Sequence, residues 1–428
     1  MRTIETLQHH TDRVDGEPEA SDAVDHRHRT PWPERAALGA GGAAAVATCF
    51  DGPLPWAAVR GAVLLTVTVA IVGGARRMRT RVGASAIGAL GLAATVFGAG
   101  VGVPNLMASG ASVVGWVGSA ALVAGLTAFV SSIVAALRHT RWWTKVATIP
   151  AVLVGTAVFG MPVTVALINS DVAPIPLGDR TPSSVGLQYL DVELVTADDV
   201  DLAAWYVPST NGAAVVMLAG AGSTRSDEVD RAAAIARHGY GVLLLDVRGH
   251  GGSGGEAMLY GWYGERDVRP AIDYLLARPD VTGGRVGVIG MSMGGQQAVA
   301  AFGADTRIRA EVADGVVGRH TSEIEAPNPV DRFMGWLMSA TSEVLTSAPH
   351  PTPLRESVRS AAPHRLLVIA GERVGLERDF ARTLVDASPG SVEVWIAPDS
   401  GHTEGFARYP QEWERRVVGF LDEQLRAG

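Results

Sequence analysis

Hydrophobic and polar positions divide this chain into stretches of different character. Val82 to Pro104, Ser109 to Leu137 and Val146 to Ile168 carry no charged residue. Each is long enough to cross a hydrocarbon core of about 30 Å as a helix. The run Ala57 to Ala75 has Arg60 near its start, within snorkelling reach of an interface. A shorter run, Ala36 to Phe50, ends at Asp51-Gly52-Pro53. Residues 36–169 therefore read as four or five transmembrane helices, and their many small residues (Gly88, Gly91, Gly98, Gly118) suit close helix packing in lipid. Residues 170–184, with Pro174, Pro176 and Pro182, read as a linker. From residue 185 to 428 the pattern becomes short β-type runs alternating with amphipathic helical runs. The strands are expected at 187–194, 202–207, 213–218, 241–245, 285–289, 308–312, 365–369 and 392–396. Helices are expected at 227–238, 265–277, 296–302, 377–386 and 411–425. That alternation predicts the α/β class: a mostly parallel eight-stranded sheet with helices on both faces, preceded by an all-α membrane bundle. The first strands follow one another without a helix, so that edge is expected to be antiparallel.

Composition agrees with this division. The 428 residues are 47% hydrophobic and 19% charged, too apolar for one ordinary soluble globule. Residues 1–35 are polar, with mixed charge, and read as a disordered tail. A net charge of −8 argues against nucleic acid as a partner. The single cysteine, Cys49, excludes an intramolecular disulfide and a cysteine metal cage. No Cys/His spacing of zinc type and no P-loop is present, so neither a metal nor a cofactor is expected. The connections Arg76-Arg77-Met78-Arg79 and Arg138-His139-Thr140-Arg141 are basic, whereas the turn at Pro104-Asn105 is neutral. The positive-inside tendency puts both basic loops in the cytoplasm, Trp142 and Trp143 in the interfacial belt, and everything after Asn169 outside. The expected location is a multi-pass plasma-membrane protein with an extracytoplasmic soluble domain.

The chemistry lies in that domain. Gly290-Met291-Ser292-Met293-Gly294 follows an apolar β-type run and precedes a helical one, the strand–turn–helix context in which a G-x-S-x-G sequence can hold out a nucleophilic serine. A serine hydroxyl needs a base, and the base needs a third group to hold it. His402, in Ser400-Gly401-His402 after the last strand, is the expected base; His238, His250 and His139 read as solvated or capping side chains.

Ala219-Gly220-Ala221-Gly222, Asp246-Val247-Arg248-Gly249-His250-Gly251, Gly290-Met291-Ser292-Met293-Gly294 and Gly401-His402, in that order, resemble the α/β-hydrolase superfamily, in its dienelactone-hydrolase-like and acyl-thioesterase-like branches. The resemblance covers residues 185–428. It implies Ser292 as nucleophile, His402 as general base, and the backbone N–H groups of Met293 and Ala221 as oxyanion donors. The chain departs from the family at Ala219, where many members have histidine, and at Val374, where the acid usually stands. Glu377, Asp314 and Glu372 are the candidates for the acid; Asp246 and Asp267 read as structural. The segment from Gly315 to His364 is longer than a crossover requires. Val330, Phe333, Met334 and Leu337 recur there at helical spacing, either as a lid whose Phe333, Trp336 and Met338 favour an apolar acyl group or as a plain crossover helix. Together these readings give a membrane-anchored serine hydrolase of esters or thioesters, with a small or lipid-like acyl substrate and the bilayer as partners. A peptidase or acyltransferase using the same serine, or a non-catalytic protein with a degenerate domain, are the alternatives. The sequence does not indicate an oligomeric state.

Overall fold

The computed structural model describes residues 81–426 apart from 110, 111, 139, 171 and 325. The polar tail, the candidate spans at 36–50 and 57–75, the first basic loop up to residue 80 and Cys49 lie outside the described residues.

Three helices among the described residues are long and apolar enough to cross a membrane: Ile87–Met107, Val114–Leu137 and Trp142–Ser170. The first comprises α1 (Arg81–Phe97), a π turn (Gly98–Gly102) and α2 (Val103–Ser109). The second is α3 (Val113–Leu137), started by the Ser112 side chain, which accepts from the Gly115 N–H. The third comprises α4 (Trp142–Gly155), a π turn (Thr156–Gly160) and α5 (Met161–Ser170). The expected turn at Pro104-Asn105 is instead helical, and the chain reverses after Ser109. The reason is local: each π turn ends two residues before a proline, Pro104 or Pro162. A residue without an N–H costs least where the regular ladder is already interrupted. A Cβ on Gly118 would sit 2.3 Å from the Gly102 Cα, so α3 and the first π turn meet backbone to backbone. Trp116, Val123, Leu153 and Trp142 point outward and are exposed.

The α/β domain contains β1 (Leu190–Val195), β2 (Asp201–Val207), β3 (Ala214–Leu218), α6 (Val229–Ala236), β4 (Gly241–Leu245), α7 (Gly264–Leu276), β5 (Val286–Met291) and α8 (Met293–Ala304). It continues with β6 (Ala310–Asp314), α9 (Pro329–Leu345), α10 (Leu354–Ala361), β7 (Arg365–Gly371), α11 (Gly375–Ala387), β8 (Val392–Ala397), α12 (Gly405–Arg408) and α13 (Pro410–Leu421). The eight strands form one sheet in the order β1-β2-β4-β3-β5-β6-β7-β8. Only the pairs β1–β2 and β2–β4 are antiparallel. The central strands β3, β4 and β5 are buried along their whole length, as continuous apolar runs covered on both faces must be. One core, with Val216, Leu243, Val288 and Phe302, lies on one face; another, with Met217, Leu244, Ile289 and Trp413, lies on the other. This is the α/β-hydrolase arrangement.

Two segments differ from their sequence reading. The stretch 170–184 is stitched to the domain rather than free: the Ile175 N–H donates to the Gly249 carbonyl at 3.1 Å, the Gly251 N–H to the Ile175 carbonyl at 2.7 Å, and Arg180 pairs with Asp230 at 2.7 Å. Helix α9 is neither a crossover on the sheet nor a lid over the serine. Its N-terminus is capped by Asn328, and its apolar face packs on α5 and the neighbouring membrane-type helix segments, with Phe333 edge-on to Phe159 of the second π turn at 5.4 Å and Leu345 against Leu167 of α5 and Phe97 and Val101 of the first helix. An amphipathic pattern shows that one face is covered; here a membrane-type helix covers it.

Candidate active site

The site is built at the carboxyl ends of the parallel strands. β5 runs straight into Ser292, which has φ 53° and ψ −116°, and α8 begins at the next residue. Backbone in such a region costs about 1–3 kcal/mol and persists only where the surroundings enforce it. Enforcement comes from the Ser292 N–H, which donates to the Asp314 carbonyl at 2.7 Å, and from the glycines on either side. A Cβ on Gly294 would lie 2.5 Å from the Ala219 carbonyl oxygen and 2.6 Å from that of Leu218. Gly294→Ala is therefore expected to cost about 1–3 kcal/mol by overpacking against backbone, read as a lower unfolding midpoint.

The loop after β8 supplies His402. Its Nε2 lies 2.8 Å from the Ser292 Oγ, and its Nδ1 lies 2.5 Å from Oε1 of Glu377. Glu377 is fully buried in the first turn of α11, and its other oxygen accepts the Gly371 N–H at 2.8 Å. The carboxylate is thus fixed at both oxygens, and the imidazole is held between it and the serine. The Glu377 hydrogen bond raises the His402 pKa above its ordinary 6.5, against the opposing effect of burial.

The other candidate acids are placed elsewhere. Asp314 is buried at the end of β6, where one oxygen accepts from the Trp413 indole at 3.2 Å. Burial pushes its pKa up to about 6 despite nearby Arg231. Glu372 is exposed and accepts the Asp399 N–H at 2.8 Å, which makes it an anchor of the histidine loop. Asp246 and Asp267 are buried in ion pairs with Arg225 and Arg248, both at 2.7 Å. His250 is not solvated, as expected from the sequence, but buried, with Nδ1 3.0 Å from the Arg248 carbonyl. The turn that precedes it folds inward under the bridge to Ile175.

Three supporting residues escaped sequence reasoning. Gly315 has φ 72°, and a Cβ there would come within 3.1 Å of the His402 ring and 2.7 Å of Thr403 Cγ2. Arg231 donates to the Thr403 carbonyl at 3.2 Å, and Glu404 accepts the Gly401 N–H at 2.8 Å. Only the glycine following β6 carried any signal in the sequence. The open cleft at the serine has a volume of about 270 Å³ and is lined in part by Gly220, Ala221, Ser223, Arg231 and Thr403. Met293 heads α8 directly behind the serine. Phe333, Trp336 and Met338 do not line this cleft, so the expected apolar acyl wall is absent from it.

Chemically, the arrangement can pass a proton from a serine hydroxyl to an imidazole held by a buried carboxylate. The family model of X-Pro dipeptidyl-peptidases (S15 family) matches residues 194–315, from β1 to just past β6. An uncharacterized protein of Mycobacterium tuberculosis is 35% identical over 129 residues, which are 29% of this chain and 44% of that relative. The chain thus spans less than half the length of this relative. The uncharacterized protein YfhR of Salmonella typhi is 23% identical over 256 residues, 55% of this chain and 82% of the relative. Among solved structures, a Pyrococcus furiosus esterase is 26% identical, with a TM-score of 0.48, covering 59% of this chain and 97% of its own. A dienelactone hydrolase from Anabaena variabilis is 17% identical, with a TM-score of 0.41, covering 56% of this chain and 99% of its own. The family match supports a hydrolase.

Proposed function

We propose that this protein is a membrane-anchored serine hydrolase that cleaves an ester or thioester by way of an acyl-enzyme. The observation that carries this reading is the unbroken contact from Ser292 Oγ through His402 to buried Glu377. Ser292 attacks the acyl carbon while His402 Nε2 takes its proton; His402 then returns that proton to the leaving group. Glu377 holds the imidazole in the tautomer that leaves Nε2 free to accept. The N–H groups of Met293 and Ala221 stabilise the oxyanion, an effect typically worth about 3–4 kcal/mol per donor. A water then repeats the cycle and releases the acid. The contact of Glu377 with His402 supports it in the role left open at Val374, and so favours a working triad over a degenerate domain.

The small, open cleft favours a compact acyl group over a long chain. The test is the pre-steady-state time course of p-nitrophenyl esters of increasing acyl length. One equivalent of p-nitrophenol released rapidly with acetate or butyrate, and less readily with longer chains, supports the reading. A strictly linear time course with no trapped acyl-enzyme contradicts the covalent route. A second reading, a peptidase, draws on the description of the matching family; turnover of X-Pro amides faster than of any ester would favour it.

The basic connection between α3 and α4, with Arg138 and Arg141, and Lys145 in the first turn of α4, supports a cytoplasmic loop there, with exposed Trp142 and Trp143 at the interface. α5 then ends outside and delivers the α/β domain to that side. Protease added to intact cells, with any outer barrier opened, is expected to digest the C-terminal domain; full protection contradicts this orientation.

A further inference from the structure

The segment between β6 and β7 brings together three side chains with ligand chemistry, well away in sequence from Ser292. His320 lies just beyond β6, Glu343 in the last turn of α9, and His350 in the loop that follows. One potential ligand atom from each lies within 4.8 Å of the other two. His350 Nδ1 is 2.8 Å from Oε1 of Glu343, and the two imidazole rings are 5.2 Å apart at 67°. All three line an open cavity of about 570 Å³ shared with Arg332 and Trp336. We propose that His320, Glu343 and His350 form a binding site for a divalent transition metal of the zinc type.

Several observations converge on that chemistry. Two imidazoles and one carboxylate are a three-ligand set that zinc accepts, with a fourth position left for water. The Ser322 N–H donates to His320 Nδ1 at 3.1 Å and fixes the ring; a metal on Nε2 requires the ring proton on Nδ1, which the Ser322 hydroxyl, 2.8 Å away, then accepts. His320 is also rigidly mounted. Its neighbour Arg319 is buried, pairs with Glu265 at 2.6 Å, and its carbonyl accepts the Trp262 indole N–H at 2.8 Å.

The other two ligands lie on and just beyond α9, the helix that packs on α5. A metal here ties that helix to the α/β domain and so couples the membrane-type bundle to the hydrolase. No Ser292-cleft residue lines this cavity, so the metal has no part in the acyl chemistry. The spacing, 23 and then 7 residues, resembles no familiar sequence motif, which is why the sequence alone suggested no metal.

The test uses the full chain in detergent, stripped with chelator and titrated calorimetrically with ZnCl₂. One equivalent should bind per chain and raise the unfolding temperature. Binding should weaken by more than about 100-fold, beyond the loss typical of an outer-shell change, in both His320→Ala and His350→Ala, with circular dichroism unchanged. Cobalt(II) should give the visible absorption of a four-coordinate site in the wild type and lose it in Glu343→Gln. No binding by the folded wild type overturns the proposal. So does one equivalent retained in the His320→Ala/His350→Ala double variant, which would assign the ion to histidines elsewhere, such as His9 and His10.

Discussion

Ser292→Ala is expected to lower kcat for a compact acyl ester by about a million-fold, the scale of losing the nucleophile of a serine triad, with little change in KM. The substitution removes one oxygen and leaves the elbow backbone in place, because alanine and serine differ little at φ 53°. Nothing nearby can take over. Ser223 lines the same cleft, but its hydroxyl makes no bond to His402, whose Nε2 faces Ser292. The residual rate should stay about 10³–10⁴ above water, because the oxyanion donors and the binding surface remain. Single-turnover kinetics on the purified variant reads this directly. A loss of less than tenfold would remove Ser292 from the reaction.

Glu377→Gln is expected to cost about 10⁴-fold in kcat, the size of the effect when a triad acid is replaced by its amide. The amide can present its N–H₂ to His402 and favour the wrong tautomer. A second readout separates this from general damage. His402 must be neutral to accept the serine proton, so kcat/KM falls as pH drops through its pKa. Glu377 is the main cause of that pKa lying above 6.5, so the acid limb of the wild type should sit above 6.5 and move to lower pH in Glu377→Ala. Asp314→Asn should leave kcat near wild type, because its carboxyl is engaged by Trp413 and makes no hydrogen bond to the imidazole. Near-wild-type turnover in Glu377→Gln with collapse in Asp314→Asn would transfer the acid's role.

How much of this was legible in the sequence depends on how local each feature is. The strand, serine and helix from Val286 to Ala304 are encoded within twenty residues by an apolar run, paired glycines and helix formers, so element and site were read together. His402 was readable from its place after the last strand. The acid was harder because Val374 holds the usual position and α11 begins at Gly375; the contact of Glu377 with His402 Nδ1, with its other oxygen fixed by the Gly371 N–H, favours it over Glu372 and Asp314. α9 was legible as an amphipathic helix but not in its docking, because its partner α5 lies about 170 residues earlier. The short α10, behind Pro351 and Pro353 and rich in charge, gave too brief a pattern to be read. The burial of His250 depends on a bridge to residue 175, which no local pattern announces.

The most direct test of the central claim is reaction of the folded protein with a fluorophosphonate, followed by intact mass and peptide mapping. One adduct per chain, on Ser292, formed far more slowly in His402→Ala, is the predicted result. No adduct on a folded wild type, or an adduct on another residue such as Ser223, would contradict it.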